Sequence, residues 1–361
     1  EEAKSKGVQV VLGPTINIQR TPIGGRNFEC YSEDPYLSGM LASAFTDGVQ
    51  AAGIGACVKH FVCNDSEFER QTISVELDER TLREIYLRPF EIAIKRSNPW
   101  TVMASYNRVD GVYVCSHDRL LNQVLKGEWA YDGLVISDWY AAKETVPNAL
   151  GGLDLEMPGP AIAWGQHLQT AVDSGEVPEA VLDDKIARLL LCMDRTGLLD
   201  DVSVTQELAL DKPSHQAIAY QAAVEGMVLC KNDGLLPLDL AKHKKIAVIG
   251  PNVKDFRIMG GGSSTLRPHY VATPLDSIAS QYPDVEVETA RGCFTHKYIP
   301  EAERHLLSPE SGANEKGLRY EFFSGGIDGE ILNERVIPRG MVMLAAMAAS
   351  PRDTFSFVTD T

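Results

Sequence analysis

A chain of 361 residues is too long for one ordinary domain and long enough for two or three. Its 44% hydrophobic and 23% charged residues are those of a globular protein, and no apolar run reaches membrane-spanning length. The formal net charge of -16 argues against nucleic acid and anionic lipid as partners and leaves room for a neutral ligand such as a sugar.

In chain order, EEAKSKGVQVVLGP reads as a helix end running into a strand. The chain is therefore expected to start inside a domain, with any leader upstream. Residues 36–52 carry a helical pattern that stops at Gly53. GACVKHFVC has the length and β-branching of a buried strand. Residues 78–97 place Leu82, Ile85, Tyr86 and Ala93 at helical spacing, with Asp78 as the cap and Pro89 as a kink. TVMASY (strand), SHDRLLNQVLKGEW (helix), GLVISDW (strand), AKETVPNALGG (helix) and LDLEMP (strand) follow, then two helices. In the second of these Leu182, Ile186, Leu189, Leu190 and Met193 form one apolar stripe.

Repeated βα units with apolar strands imply a parallel sheet covered on both faces. A (β/α) barrel over residues 1–197 accounts for polar residues recurring at strand C-terminal ends: Lys59 and His60, Tyr106 and Asn107, Asp138, Glu156. A doubly wound sheet is the alternative, but its Gly-rich phosphate loop after the first strand is missing. Residues 198–215 are polar and read as a linker. A second α/β unit follows over 216–307, with a helix at 216–229, a turn at KNDGLLPLD, a buried strand in KKIAVIGP, the run GGGSS, and a strand in VEVET. GLRYEFFSGG, after the linker-like SPESGANEK, reads as a strand entering a turn. The seven cysteines are scattered with no CxxC pair, which favours buried free thiols over a zinc site or a disulfide framework. With a single N-x-S/T sequon at Asn64, they favour the cytoplasm over a secreted location.

Glycoside hydrolysis needs two carboxyl groups flanking the bond, and in a retaining enzyme one of them attacks the anomeric carbon. GLVISDW puts Asp138 at the end of the most apolar strand, with Trp139 beside it to stack on a sugar ring; the competing role for Asp138 is a helix cap. Lys59 and His60 offer donors and an acceptor to sugar hydroxyls, against a purely structural pair. Tyr106 could bond the nucleophile or be a core tyrosine. Arg26 in IGGRNFE could reach a hydroxyl or brace its loop through Glu29 or Asp34. GGGSS lacks the Lys of a phosphate loop, so nucleotide binding is disfavoured.

GPTINIQRTPIGGRNFECYSEDPYLSG, KHFVCND, LREIYLRPF, VMASYNRVDG, GLVISDW, LDLEMPG, KNDGLLPL and IAVIGP occur in one order. As a set over roughly residues 8–300 they closely resemble glycoside hydrolase family 3, above all its fungal and yeast-type β-glucosidases. The resemblance implies a barrel followed by an α/β sandwich, with Asp138 as nucleophile and Arg26, Lys59, His60, Met103, Tyr106 and Trp139 lining the glycone subsite. It implies a reaction on small-molecule β-glucosides or oligosaccharides with no metal or organic cofactor. β-Xylosides, or non-catalytic sugar binding, are the alternatives, and homo-oligomerisation stays open. GLRYEFFSGGIDGE is similar to the start of a protective-antigen-type β-sandwich, assigned to residues 308–361. The family's D-G-P loop is absent before Glu1, its acid/base Glu is not found in this chain, and MVMLAAMAASPRDTFSFVTDT departs from the module's pattern. The chain is therefore expected to be an inactive fragment of an active parent. The loop VCNDSEFERQT has no His, unlike the branch that removes N-acetylglucosamine.

Overall fold

The structure, a computed structural model, describes residues 1–202, 206–239, 242–253, 256–293, 306–310, 312, 314–323 and 329–337. The chain divides into two compact units, Glu1–Asp233 with Arg257–Val271, and Gly234–Phe256 with Ala272–Thr361.

The first unit is built on a parallel sheet. After α1 (Glu2–Ser5) comes β1 (Val10–Val11), then α2 (Pro35–Ala51) and β2 (Gly55–Phe61). Asp34 starts α2 by accepting from the amides of Tyr36 and Leu37, Pro35 supplies a preset φ, and Gly53 leaves the helix at φ +76°. β3 (Ser74–Val75) leads to α3 (Glu79–Thr81), capped by Asp78 as expected. Leu82–Tyr86 is then π-helical, with the Leu87 amide bonded to the Leu82 carbonyl at 2.8 Å, before α4 (Arg88–Ser97) resumes. Pro89 has no amide to donate, so the chain changes its bonding pattern just ahead of it.

β4 (Thr101–Ala104) follows, then the hairpin β5 (Arg108–Val109) and β6 (Val112–Tyr113). That hairpin turns on Asp110-Gly111, both at positive φ, the residues a two-residue loop selects. A π-type helix, Arg119–Glu128, precedes β7 (Leu134–Ser137). The strand order β1-β2-β4-β7 is parallel throughout, like consecutive staves of a barrel, and an isolated bridge from Ile136 to Leu155 extends it. LDLEMP, expected as a strand, contributes only that bridge, because the Asp154 carboxylate and the amides of Asp154 and Leu155 all bond Val135.

One face of the sheet packs Val58, Val102, Ala104 and Val135 against the helices, with Phe61 edge-on to Phe90 at 5.2 Å. The other gathers Cys57, Met103, Leu134 and Ile136. A Cβ on Gly39 would lie 2.7 Å from the Ile92 Cβ, so α2 and α4 approach as closely as they do because the position has no side chain.

α5 (Val146–Leu150), α6 (Gln166–Asp173) and α7 (Glu179–Arg195) complete this part. The apolar stripe expected on α7 is only partly the buried one, since Ile186 and Leu190 are 44% and 46% exposed. Lys185 and Cys192 point inward instead. Lys185 Nζ donates to the Leu153 carbonyl at 2.6 Å, and Arg188 to the carbonyls of Tyr131 and Gly133. A cation can be buried where a main-chain acceptor meets it.

The polar segment after α7 returns to α1, the amides of Leu208 and Leu210 bonding Ser5 Oγ and Glu2 Oε1. α8 (Pro213–Gly226) clusters with the first unit.

In the second unit β8 (Lys245–Ile249) pairs in parallel with β9 (Glu286–Ala290), and α9 (Pro274–Gln281) lies between them in sequence. β8, expected to be buried, is half-buried and exposed in alternation, with Ile249 68% exposed. Parallel pairing of two strands covers no face by itself. β10 (Leu318–Phe323) and β11 (Ile331–Ile337) form an antiparallel pair with a bulge at Phe322/Phe323. The segment MVMLAAMAASPRDTFSFVTDT lies outside the described residues.

Candidate active site

The register of the sheet sets the C-terminal ends of its strands side by side. Thr15 bridges Lys59, Phe61 pairs with Ala104, and Ala104 with Ser137, so Lys59, His60, Tyr106 and Asp138 emerge at one end of the sheet. The peptides Lys59–His60 and Phe61–Val62 are cis, and the β2/β4 register shifts between Val58 and Phe61.

Asp138 is 7% exposed. Its Oδ1 accepts the Trp139 amide at 2.7 Å, and its Oδ2 has no hydrogen-bond partner. Burial raises its pKa above the ordinary carboxylate value, opposed by the Trp139 amide, the Tyr106 hydroxyl, and the charges of Arg26 and Arg70.

His60 Nε2 lies 3.5 Å from Asp138 Oδ2. Asn17, 43 residues earlier, grips the His60 backbone: its Nδ2 donates to the His60 carbonyl at 3.0 Å and its Oδ1 accepts the His60 amide at 2.8 Å. That pair fixes the orientation of the Asn17 amide. The ring Nδ1, 3.2 Å from the same oxygen, therefore carries the proton, and Nε2 turns a lone pair towards Asp138. Burial holds His60 well below its usual pKa, and Arg26, Lys59 and Arg70 push it the same way, so the ring is neutral.

Of the two partners suggested by sequence for Arg26, the structure selects Glu29: Arg26 Nε meets its Oε1 at 2.5 Å, and Nη1 lies 3.6 Å from Glu67. Asp34 is occupied with the cap of α2. Glu29 Oε2 accepts from Thr15 Oγ1 at 2.9 Å and lies 3.8 Å from Lys59 Nζ. Burial would raise the Glu29 pKa, but the Arg26 bond and charge, the Thr15 hydroxyl and Lys59 hold it below the ordinary value. Tyr106 has the Arg70 guanidinium 4.6 Å above its ring, and Arg70 is bonded to Glu67 at 2.7 Å. Burial raises the Tyr106 pKa, and the Asp138 charge adds to it, so the phenol keeps its proton. Met103 is buried in the second sheet cluster, where Trp139 packs against it.

The other strand-end residues do structural work. Asn107 donates to the carbonyls of Val62 and Arg108, and the Glu156 carboxylate accepts three amides, from Ile162, Ala163 and Trp164, at 2.7–2.8 Å. The GGGSS run is a tight turn whose Ser264 and Thr265 hydroxyls bond its own carbonyls. A Cβ on Gly260 would lie 2.2 Å from the Phe28 ring, so close approach explains a glycine there. Asn17 and Arg70 were not singled out from sequence, and Glu29 was named only as a possible brace for Arg26. Only Glu29, three residues after Arg26, had a local signal.

The profile of the Glycosyl hydrolase family 3 N terminal domain matches residues 1–192, and that of the family's C-terminal domain matches residues 227–354. A β-glucosidase of Rhizobium radiobacter is 46% identical over 299 residues, 82% of this chain and 37% of that protein. A probable β-glucosidase I of Emericella nidulans is 41% identical over 92% of this chain and 40% of its own length. Among solved structures, β-glucosidase 3B of Thermotoga neapolitana in complex with α-D-glucose superposes with a TM-score of 0.73 at 38% identity, over 79% of this chain and 40% of that one. The β-glucosidase of Kluyveromyces marxianus in complex with glucose gives 0.78 at 34%, over 93% and 42%. The chain thus spans about two fifths of the length of these relatives.

Proposed function

Since the chain belongs to glycosyl hydrolase family 3, we propose that it carries the nucleophile-bearing part of a retaining β-glucosidase that removes terminal non-reducing β-D-glucosyl residues. We read the first unit as the family's (β/α) barrel. Residues 216–307 are read as the first part of its α/β sandwich, and residues 308–361 as the start of an inserted β-sandwich.

The observation that carries the reading is the half-satisfied carboxylate of Asp138 among a neutral His60, Arg26 and Arg70. Oδ1 is steadied by the Trp139 amide, and Oδ2 keeps its lone pairs for attack. Oδ2 forms an ester bond to the anomeric carbon while the C–O bond to the aglycone breaks, its electron pair leaving with the aglycone oxygen. That oxygen takes a proton from a general acid. Water then attacks the anomeric carbon, losing a proton to the same group, while the bond from that carbon to Asp138 Oδ2 breaks and its electron pair returns to the carboxylate, so glucose leaves with Asp138 regenerated. Lys59 and Arg26 donate to glycone hydroxyls, His60 Nε2 accepts from one, and Trp139 offers its ring. The chemistry requires no metal or organic cofactor.

Glu29 and Glu67 are poor candidates for the general acid, because both are ion-paired with Arg26 and Glu67 also with Arg70. We assign that role to a carboxyl group outside the described residues. A 2-deoxy-2-fluoroglucoside inactivator, followed by mass spectrometry of peptides, should place the label on Asp138; a label on any other carboxylate overturns the assignment. In the active parent enzyme a panel of nitrophenyl glycosides should favour the glucoside, and preference for the xyloside would correct the substrate.

A further inference from the structure

The site holds three cations, Arg26, Lys59 and Arg70, and besides Asp138 two anions, Glu29 and Glu67. Glu67 lies against Arg26 and Arg70. Glu29 bridges a different pair, Arg26 and the strand-end Lys59. Arg26 comes from the loop after β1, and its Nε meets Glu29 Oε1 at 2.5 Å; Lys59 comes from the end of β2, and its Nζ lies 3.8 Å from Oε2. A third contact fixes the carboxylate from the sheet: the buried Thr15, bridged to Lys59 in the backbone, donates its hydroxyl to Oε2 at 2.9 Å. The order of support runs from Thr15 to Glu29 and from Glu29 to the two cations. Guanidinium and ammonium side chains carry much rotamer freedom, and a carboxylate gripping both removes that freedom before any ligand arrives.

We propose that Glu29 is a positioning residue of the sugar site: it holds Arg26 and Lys59 in one geometry, and glycone hydroxyls are recognised through those two cations. The inference rests on the glycone reading given above, and Glu29 acts through its neighbours without touching the sugar.

The test is Glu29→Gln, with glucose as the titrant in calorimetry and thermal unfolding followed by circular dichroism. Glutamine has the shape of glutamate, but one of its two heads is an NH2 group. Whichever way it turns, it sets a donor against either Arg26 Nε–H or the Lys59 ammonium, and it removes the charge that holds both. Glucose affinity should fall about ten-fold. Glu29→Asp keeps the charge but is one methylene short, and should lose affinity by a smaller factor.

A purely structural residue would weaken binding in any background. A positioning residue loses its effect once its clients are gone, so in Arg26→Ala/Lys59→Ala the added Glu29→Gln change should alter affinity by less than about two-fold. Should Glu29→Gln fail to fold, Thr15→Val carries the test: it removes one anchor of Glu29 and should cost about two- to three-fold in affinity. Wild-type affinity in Glu29→Gln, or an undiminished loss in the doubly substituted background, overturns the proposal. Unchanged affinity in both Arg26→Ala and Lys59→Ala would instead sink the glycone reading. A wild-type chain that binds no glucose sinks both.

Discussion

Asp138 and Glu156 are buried carboxylates at the ends of neighbouring strand segments, 7% and 8% exposed, and their surroundings are opposite. Glu156 accepts three main-chain amides within eight residues of itself and closes its own loop. Asp138 accepts one amide, leaves Oδ2 without a hydrogen bond of good geometry, and faces the Tyr106 hydroxyl, His60, Arg26 and Arg70 from distant parts of the chain. A carboxylate whose lone pairs are satisfied by the backbone holds structure. One kept half-satisfied and desolvated costs stability, and its free lone pairs are what the proposed attack by Asp138 requires.

The comparison breaks most sharply at Asp138. Asp138→Asn should lower turnover in the active enzyme by at least about 10⁴-fold, because an amide forms no glycosyl ester. The same change should raise the midpoint of thermal unfolding at pH 7. Burial raises the folded-state pKa of Asp138, so its penalty is absent where both states are protonated and appears as pH rises through the folded value. The stabilisation should therefore fade below about pH 4, the ordinary carboxylate range. A variant that loses both activity and stability at neutral pH would place Asp138 with Glu156 as a structural group.

Glu156 should behave in the reverse way. Glu156→Ala strands three amides, and unfolding free energy should drop by about 3–5 kcal/mol. Glu156→Gln should do nearly as badly, since its NH2 group meets donors. Denaturant titration measures both, and a loss below about 1 kcal/mol would mean the loop 157–165 finds other partners.

The contrast also marks what was legible in the sequence. Asp138 stood out because an apolar run ending in a polar residue is a local pattern, and the ordered family motifs gave that residue a role. Asp78 and Gly53 were equally readable, as caps act within a few residues. Asn17 could not be read, because its partner is 43 residues away and only the β1–β2 pairing, continued by the Thr15–Lys59 bridge, brings them together. Arg70 looked like any loop arginine until the fold laid it over Tyr106. On α7 the hydrophobic stripe misled where Lys185 and Arg188 found main-chain carbonyls beneath the helix. In each case the deciding contact was long-range and polar, which hydrophobic periodicity does not encode.

Asp65 offers the finest test, as it lies between the two extremes. It is half-buried, with one amide bond from Ile18 at 3.2 Å, and loss of solvent raises its pKa to about 7, against opposing pulls from that amide and from Arg20. It is a desolvated carboxylate like Asp138, but it carries no proposed chemistry. Removing its charge should therefore stabilise the fold without an effect on the reaction. At pH 5 the folded protein holds Asp65 largely protonated, while the unfolded chain has mostly released the proton. As pH climbs from about 4 to about 7 the unfolded state gains the advantage of ionising first, and above about 7 the full penalty is present. Asp65→Asn keeps an acceptor for the Ile18 amide and cannot ionise. Its gain should be near zero at pH 4, and grow to about 1–3 kcal/mol at pH 8. Chemical denaturation at both pH values reads this directly. A gain independent of pH would show that Asp65 stays ionised throughout, and that one amide suffices to satisfy a desolvated carboxylate. In that event desolvation with a single amide partner would no longer account for a raised pKa at Asp138, and the stabilisation expected of Asp138→Asn at neutral pH would lose its basis.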